Sequence, residues 1–318
     1  MEIMVSIICN TYNQESYLRQ TLDSFINQKT NFNFEVIIHD DASTDSTAEI
    51  IREYQSRYPE IIVPIIEEEN QYQKDVNITL DIDFPLAKGK YFAFCEGDDF
   101  WIDPLKLQKQ VDYMENNPLC TMCIHSSIKV NKKGKNLGQY NTFKKNGIIS
   151  IDKVILSGGE FCATNSILAP TRLVSDVPLY LKNYCIDYFW QLYLAGEGYV
   201  YAFADVMSAY RINSVGSWTS RMRKDNCFFS QHLEAMYNNL LEYDQDTDYH
   251  YHEYVKQRIT GNRYSYYVLK KQYDELKKEP LKDYVGKLNR KEKIKLVLKI
   301  NVPYIFSIIS KLRELIFE

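Results

Sequence analysis

Short apolar runs alternate with segments of helical spacing along the N-terminal third of the chain. Residues 4–9, Met-Val-Ser-Ile-Ile-Cys, are short, apolar and β-branched, which predicts a buried strand. Tyr17, Leu18, Thr21, Leu22, Phe25 and Ile26 then recur at helical spacing. Residues 34–39 read as a second strand that runs into Asp40 and Asp41. Ser46 and Glu49 form a capping-box pattern before a helix with Ile50, Ile51, Tyr54 and Tyr58 on one face. Residues 61–66 are strand-like again. This is the grammar of an α/β fold, a parallel sheet covered by helices. Ligands of such sheets bind outside the carboxyl ends of the strands. Three strands here end in polar clusters, at residues 10–13, at Asp40-Asp41 and at residues 96–99, and the pattern predicts that all three meet at one edge.

The third cluster carries the strongest chemistry. Glu96-Gly97-Asp98-Asp99 follows the apolar run 91–94 and is followed by Phe100-Trp101. Three carboxylates at the end of a strand offer hard oxygen ligands to a divalent cation, which needs only one or two of them when a substrate supplies phosphates. Gly97 permits a tight turn and close approach. A solvated acidic turn is the alternative.

These pieces in order resemble a family 2 glycosyltransferase with the GT-A-type fold, like the bacterial enzymes of surface-polysaccharide synthesis. The resemblance rests on residues 5–8 with Thr11-Tyr12-Asn13, on 40–47, on Lys88-Gly89-Lys90-Tyr91, on the Glu-Gly-Asp-Asp-Phe-Trp run, on 186–190 and on 207–211. It implies a mostly parallel central sheet and an inverting transfer from a nucleotide sugar, a UDP-hexose or UDP-N-acetylhexosamine, with Mn²⁺ or Mg²⁺. Asp98 stands at the family's metal-binding position. Glu96 replaces the more frequent Asp and faces the ribose, with Gly97 beside it. Thr11, Tyr12, Asn13, Glu15, Asp40 and Asp41 fall on the base and ribose side, where Tyr12 can pack on uracil and a carboxylate can accept its ring N–H. Helix capping is the alternative for Asp41 and Ser43. Asp187 is implied as the base that takes the acceptor hydroxyl's proton, and an N-cap is its other reading. Asp99, Thr164, Asn165, Ser166, Arg211, Asn213 and Trp218 fall on the sugar or acceptor side. Asp99 and Arg211 have a second reading as braces of the fold, and Trp218 as a surface-packed residue. One position departs from the pattern: Asn213 stands where the family often has histidine, and an amide oxygen is a weaker ligand than imidazole. Gly216 and Trp218 suggest a hinge and an apolar lid.

Composition narrows the alternatives. A chain of 318 residues suits one large domain with an appendage, here expected as a catalytic domain over 1–223 and a helical region over 224–318. The net charge of −4 offers no nucleic-acid footprint. The N-terminus shows no basic region followed by a long apolar segment, and no run of uncharged apolar residues is long enough to span a bilayer. Seven scattered cysteines fit a reducing compartment, hence a cytoplasmic expectation. Cys120 and Cys123 with His125 nearby lack a second pair at zinc spacing and read as strand core. A nucleotidyltransferase would show a basic, glycine-rich loop after the first strand, and residues 10–13 are not one. A non-catalytic subunit that binds nucleotide sugar remains the alternative from another class.

Beyond residue 224 helical patterns dominate. Leu233, Met236, Tyr237, Leu240 and Leu241 make one expected apolar face, and Tyr254, Ile259, Tyr266, Tyr267 and Leu269 another, with tyrosines packed between helices. From 282 to 318, nine Lys or Arg stand against four Asp or Glu beside bulky apolar residues. That pattern suits an interfacial helix on an anionic membrane, at the inner face of which a lipid-linked or other saccharide acceptor would be met. A helix pair packed on the domain or a homodimer contact is the alternative.

Overall fold

The computed structural model describes residues 2–214, 222 and 225–302. The chain forms two compact units, residues 1–217 and 218–318. Gly216, Trp218 and the segment 303–318 lie outside the described residues.

The first unit is built on a ten-stranded mixed sheet. Strands β1 (Ile3–Thr11), β2 (Asn33–Asp40), β3 (Ile62–Ile66) and β4 (Tyr91–Phe94) lie parallel in the order β3-β2-β1-β4. Helices α1 (Leu18–Ile26) and α2 (Thr47–Arg57) make the crossovers, so β1 and β2 are buried almost throughout. The sheet continues through β9 (Leu168–Pro170), antiparallel to β4, then β6 (Cys120–Val130), β10 (Tyr199–Arg211) and the two-residue β5 (Phe100–Trp101). Strand β7 (Asn136–Tyr140) pairs with β6, and β8 (Gly147–Ile149) with β10. Helix α3 (Lys106–Asn116) leads into β6, α4 (Ile151–Ser157) and α5 (Leu179–Asn183) precede α6 (Asp187–Gly196), and α6 enters β10.

Two devices hold the first four strands. Gly89 lies so close to β1 that a Cβ there would sit 2.4 Å from the Ser6 nitrogen, so only glycine fits. Its N–H donates to the Ser6 hydroxyl at 2.8 Å, and that hydroxyl donates to the buried Glu35 at 2.7 Å. The other device is an aromatic cluster of Phe84, Phe92, Phe94 and Trp190, with Trp190 5.7 Å from Phe94 and 5.4 Å from Phe84. It docks α6 on β4 and so sets Asp187, three residues before Trp190, near Glu96, two residues after Phe94.

Several local expectations are corrected. Ser46 makes no side-chain cap on α2; Asp45 accepts the Thr47 N–H at 3.0 Å instead. The reciprocal bond of the capping box is also taken, because the Ser46 N–H donates to Glu15 at 2.9 Å. Tyr58 caps the end of α2, half-buried but packed against the core as expected. Cys120 and Cys123 are strand core, as expected, in β6, a central strand whose residues 120–127 are all buried.

The second unit is helical: α7 (Asn226–Asp246), α8 (His252–Leu269), α9 (Leu281–Lys287) and α10 (Arg290–Asn301). Leu233, Met236 and Leu240 are buried, joined by Tyr243, whereas Tyr237 and Leu241 are exposed. In α8 Val255 and Asn262 are buried, Tyr254 is exposed, and Ile259, Tyr266, Tyr267 and Leu269 are half-buried. A helix pair covers only a narrow stripe of each partner, so a broad apolar face stays partly open. Tyrosines do pack between helices, as Tyr264 and Tyr284 do at 5.4 Å. No described helix is long and apolar enough to cross a membrane.

Candidate active site

The parallel register brings the three polar strand ends together. Thr11 lies opposite Asp40, the Asp41 N–H donates to the Thr11 carbonyl at 3.1 Å, and the Gly97 N–H donates to the Asn10 carbonyl at 3.1 Å. Gly97 is tightly seated: a Cβ would fall 2.4 Å from the Thr11 methyl and 2.3 Å from the Gln14 amide oxygen. α1 joins this edge through Thr21, whose hydroxyl donates to the Asp99 carbonyl at 2.6 Å.

On the base side, Tyr12 is exposed at the edge while Thr11 is buried, its hydroxyl donating to the His39 carbonyl at 3.0 Å. Asn13 takes a positive φ of 52°, and its side chain accepts the Thr44 N–H at 2.8 Å while its own N–H donates to Ser43. Ser43 caps no helix; it donates to one oxygen of Asp40. The other Asp40 oxygen is buried without a partner, and burial raises this carboxyl's pKa. Asp41 is committed to the backbone: its carboxylate accepts the N–H groups of Gln71, at 2.5 Å, and Tyr72, at 3.2 Å. Glu15 is tied to the start of α2 by the Ser46 bond.

Glu96 and Asp187 form the mouth of a cleft. Both keep solvent-facing atoms while protein surrounds them. Burial, then Asp187 and Asp98, pushes the Glu96 carboxyl well above the usual carboxylate range. Burial likewise raises Asp187, against the opposing hydrogen bond from the Thr164 hydroxyl. Asp187 occupies the first turn of α6, where the helix dipole favours the ionised form. Asp98 is buried beneath them, its pKa raised by burial, with one oxygen accepting the Ser214 hydroxyl.

Below lies a floor in which Asn165 and Ser166 are turned away from the sugar side expected of them, and Asp99 and Arg211 take their second reading as braces. Asp99 is buried, and both its oxygens are taken, by the Arg211 N–H at 2.7 Å and the Asn165 amide at 2.8 Å. Asn165 is buried and also bonds Ser208 at 2.6 Å and the Ala209 carbonyl at 3.1 Å. Ser166 is buried and donates to Ala163 at 2.6 Å. Arg211 donates to the carbonyls of Asp98 at 2.8 Å and Asn131 at 3.0 Å and to Gln20 at 2.8 Å, with its guanidinium over the Tyr17 ring. These four side chains brace the acidic loop. Thr164 alone of the 164–166 turn reaches the mouth, through Asp187. Asn213 follows Arg211 with a φ of 59°, and Trp218 lies outside the described residues.

Sequence reasoning missed Ser214, Thr21, Gln20 and a buried pair under the base side. His39 Nδ1 and Asp83 Oδ1 are 3.2 Å apart, both fully buried, and Asp83 belongs to the short π-helical stretch Ile78–Asp83. Nothing in the spacing of these residues marks them, since they are brought together from elements distant in sequence.

Among the described residues no three His, Cys, Asp or Glu side chains converge as a ready cation cage. The chemistry of the cleft nevertheless fits a divalent cation. Asp187 and Asp98 both raise the cost of ionising Glu96, and Arg211 spends its donors on backbone and Gln20. A hard cation held by one or two carboxylates and completed by a diphosphate suits that set.

The glycosyl transferase family 2 profile matches residues 6–166. The chain belongs to glycosyl transferase family 2. It is 36% identical over 221 residues to an uncharacterised protein of Mycobacterium tuberculosis, covering 68% of this chain and 61% of that protein's length. It is 36% identical over 112 residues to Escherichia coli WfaP, named a UDP-Glc:α-D-GlcNAc-diphosphoundecaprenol β-1,3-glucosyltransferase, covering 35% of this chain and 41% of WfaP. The fold is that of Staphylococcus aureus TarS, solved with UDP-GlcNAc (TM-score 0.59, 15% identity, 94% of this chain and 79% of that one). It is also similar to the Pyrobaculum calidifontis mannosyltransferase solved with GDP-Man and Mn²⁺ (TM-score 0.55, 14% identity, 96% and 82%). The GT-A-type fold expected from the sequence is therefore present.

Proposed function

We propose that this family 2 member is an inverting, metal-dependent glycosyltransferase that moves a sugar from a nucleotide sugar, a UDP-sugar in the first instance, to a saccharide or lipid-linked acceptor. Its catalytic domain would occupy 1–223. The observation that carries the reading is the repulsion that Glu96 takes from Asp187 and Asp98 at a strand end whose neighbouring arginine is already spent on the fold. Asp98, with Glu96 beside it, would hold Mn²⁺ or Mg²⁺. When bound, the cation would supply charge neutralisation for the diphosphate as it leaves. Asp187 takes the acceptor's proton. Its raised pKa makes it a stronger base, and the Thr164 bond fixes one oxygen so that the other can face the incoming hydroxyl. The unpartnered oxygen of Asp40 suits the uracil ring N–H, with Tyr12 stacked on the base. The activity for which WfaP is named supports a diphosphate-lipid saccharide as acceptor, in surface polysaccharide or glycoconjugate synthesis on the cytoplasmic side.

The test is hydrolysis of a panel of nucleotide sugars with Mn²⁺, with Mg²⁺ and with chelator, for wild type and Asp98→Ala. Metal-dependent nucleotide release from one donor, lost in the variant, is expected. Nucleotide binding without any turnover, acceptor present, would favour the non-catalytic alternative.

A further inference from the structure

The helix α10 carries a surface that the catalytic reading does not use. Ile294, Val297 and Ile300 are 51%, 54% and 40% exposed, although each is a large aliphatic residue. Their spacing of three places them in one stripe along the helix, while Leu296 turns inward and is buried. Ile294, Val297 and Leu298 share a shallow groove of about 380 Å³ with Arg290 and Lys293. Lys293 is oriented by a bond to the Gly286 carbonyl at 2.6 Å. Lys291 and Lys299 add further positive charge to the helix, and the acidic Glu292 is satisfied by Lys295 at 2.7 Å.

We infer that α10 is a docking helix for an anionic lipid bilayer, its aliphatic stripe entering the headgroup boundary and Arg290 and Lys293 meeting lipid phosphates. Charge decides between occupants. A second copy docked through the same face would set Arg290 and Lys293 against their own equivalents. The chain's own segment 303–318 carries Lys311 and Arg313 against Glu314 and Glu318, so it has no net charge to offset the helix. An anionic bilayer matches both the aliphatic stripe and the basic residues. The docking does not depend on the catalytic assignment, so either can fail without the other.

The full chain is sedimented with vesicles of phosphatidylcholine alone and of phosphatidylcholine mixed with phosphatidylglycerol. Wild type is expected to pellet with the anionic vesicles, less as salt rises, and weakly with the neutral ones. The double variant Ile294→Glu with Val297→Glu, and separately Arg290→Ala with Lys293→Ala, should each lower the bound fraction about tenfold, with unchanged circular dichroism. Donor hydrolysis in solution should be unaltered in both variants. Equal sedimentation of wild type and both variants overturns the inference. So does a change from dimer to monomer in the glutamate variant with vesicle binding intact, which would give the face to a second copy. Loss of vesicle binding only on Ile305→Glu with Ile309→Glu would transfer the contact to the terminal segment and overturn it equally.

Discussion

The mouth of the cleft and the floor beneath it use the same residue types for opposite ends. At the mouth, Glu96 and Asp187 keep oxygen atoms open and tolerate mutual repulsion. On the floor, Asp99 is saturated by Arg211 and Asn165, and Asn165 is itself tied to Ser208 and the β10 backbone. A carboxylate with both oxygens occupied holds shape; one with a free oxygen can do chemistry. Strained electrostatics at the mouth rest on fully satisfied bonds below, since a half-satisfied buried network would be costly.

Substitutions at the two levels should separate accordingly. Asp187→Asn is expected to lower transfer by about 10³-fold while leaving nucleotide binding and thermal stability near wild type. Steady-state kinetics with a nucleotide titration checks this, and a variant of near-normal rate would remove Asp187 from the chemistry. Asp98→Ala should abolish the difference in nucleotide affinity between Mn²⁺ and chelator, a loss of roughly 10²-fold read by calorimetry.

Floor substitutions should act through stability instead. Asp99→Asn sets an amide N–H₂ against existing donors and leaves a buried charge on Arg211 less compensated, at a cost of about 3 kcal/mol. A denaturant midpoint moved by little while activity fell would contradict the division drawn here.

Lys106 sharpens the contrast. It is fully buried, its ammonium 3.9 Å from the Trp101 ring centroid, and burial pushes its pKa down to about 7. The folded protein thus gives up this proton more readily than the unfolded chain, and between about pH 7 and about pH 10 the unfolded state binds more protons. This group's contribution to stability therefore rises with pH over that window, and its penalty is largest at and below about pH 7. Lys106→Met should stabilise the protein by about 2 kcal/mol near neutral pH, with the gain shrinking toward about pH 10. Melting temperatures of the two proteins across that range decide it; a constant difference would mean the lysine is not titrating. The smallest effect is expected at the mouth's edge, where Thr164→Val removes one bond to Asp187 and should lower turnover several-fold with little change in stability.

Much of this was legible beforehand. The alternation of β-branched runs with 3.6-residue periodicity announced the parallel half of the sheet, because crossover helices bury both faces of such strands. The meeting of Asn10, Asp40 and Glu96 at one edge followed from that topology. The buried places of Asn165 and Ser166 did not, and the two readings of Asp99 and Arg211 stayed open, because a polar residue in a loop reads alike whether it faces the cleft or the floor. Ser214 was hidden for the same reason, and the capping box of α2 is replaced because Asp45 accepts the Thr47 N–H and Glu15, distant in sequence, accepts the Ser46 N–H.

By itself, then, the sequence determined the order of elements, the acidic strand end and the membership of a family, all of which depend on local periodicity and contiguous motifs. Tertiary structure alone decided which carboxylates stay open and which are spent. That choice depends on donors brought from β10, from the 164–166 turn and from α1, and no local pattern encodes which oxygen a distant N–H will reach.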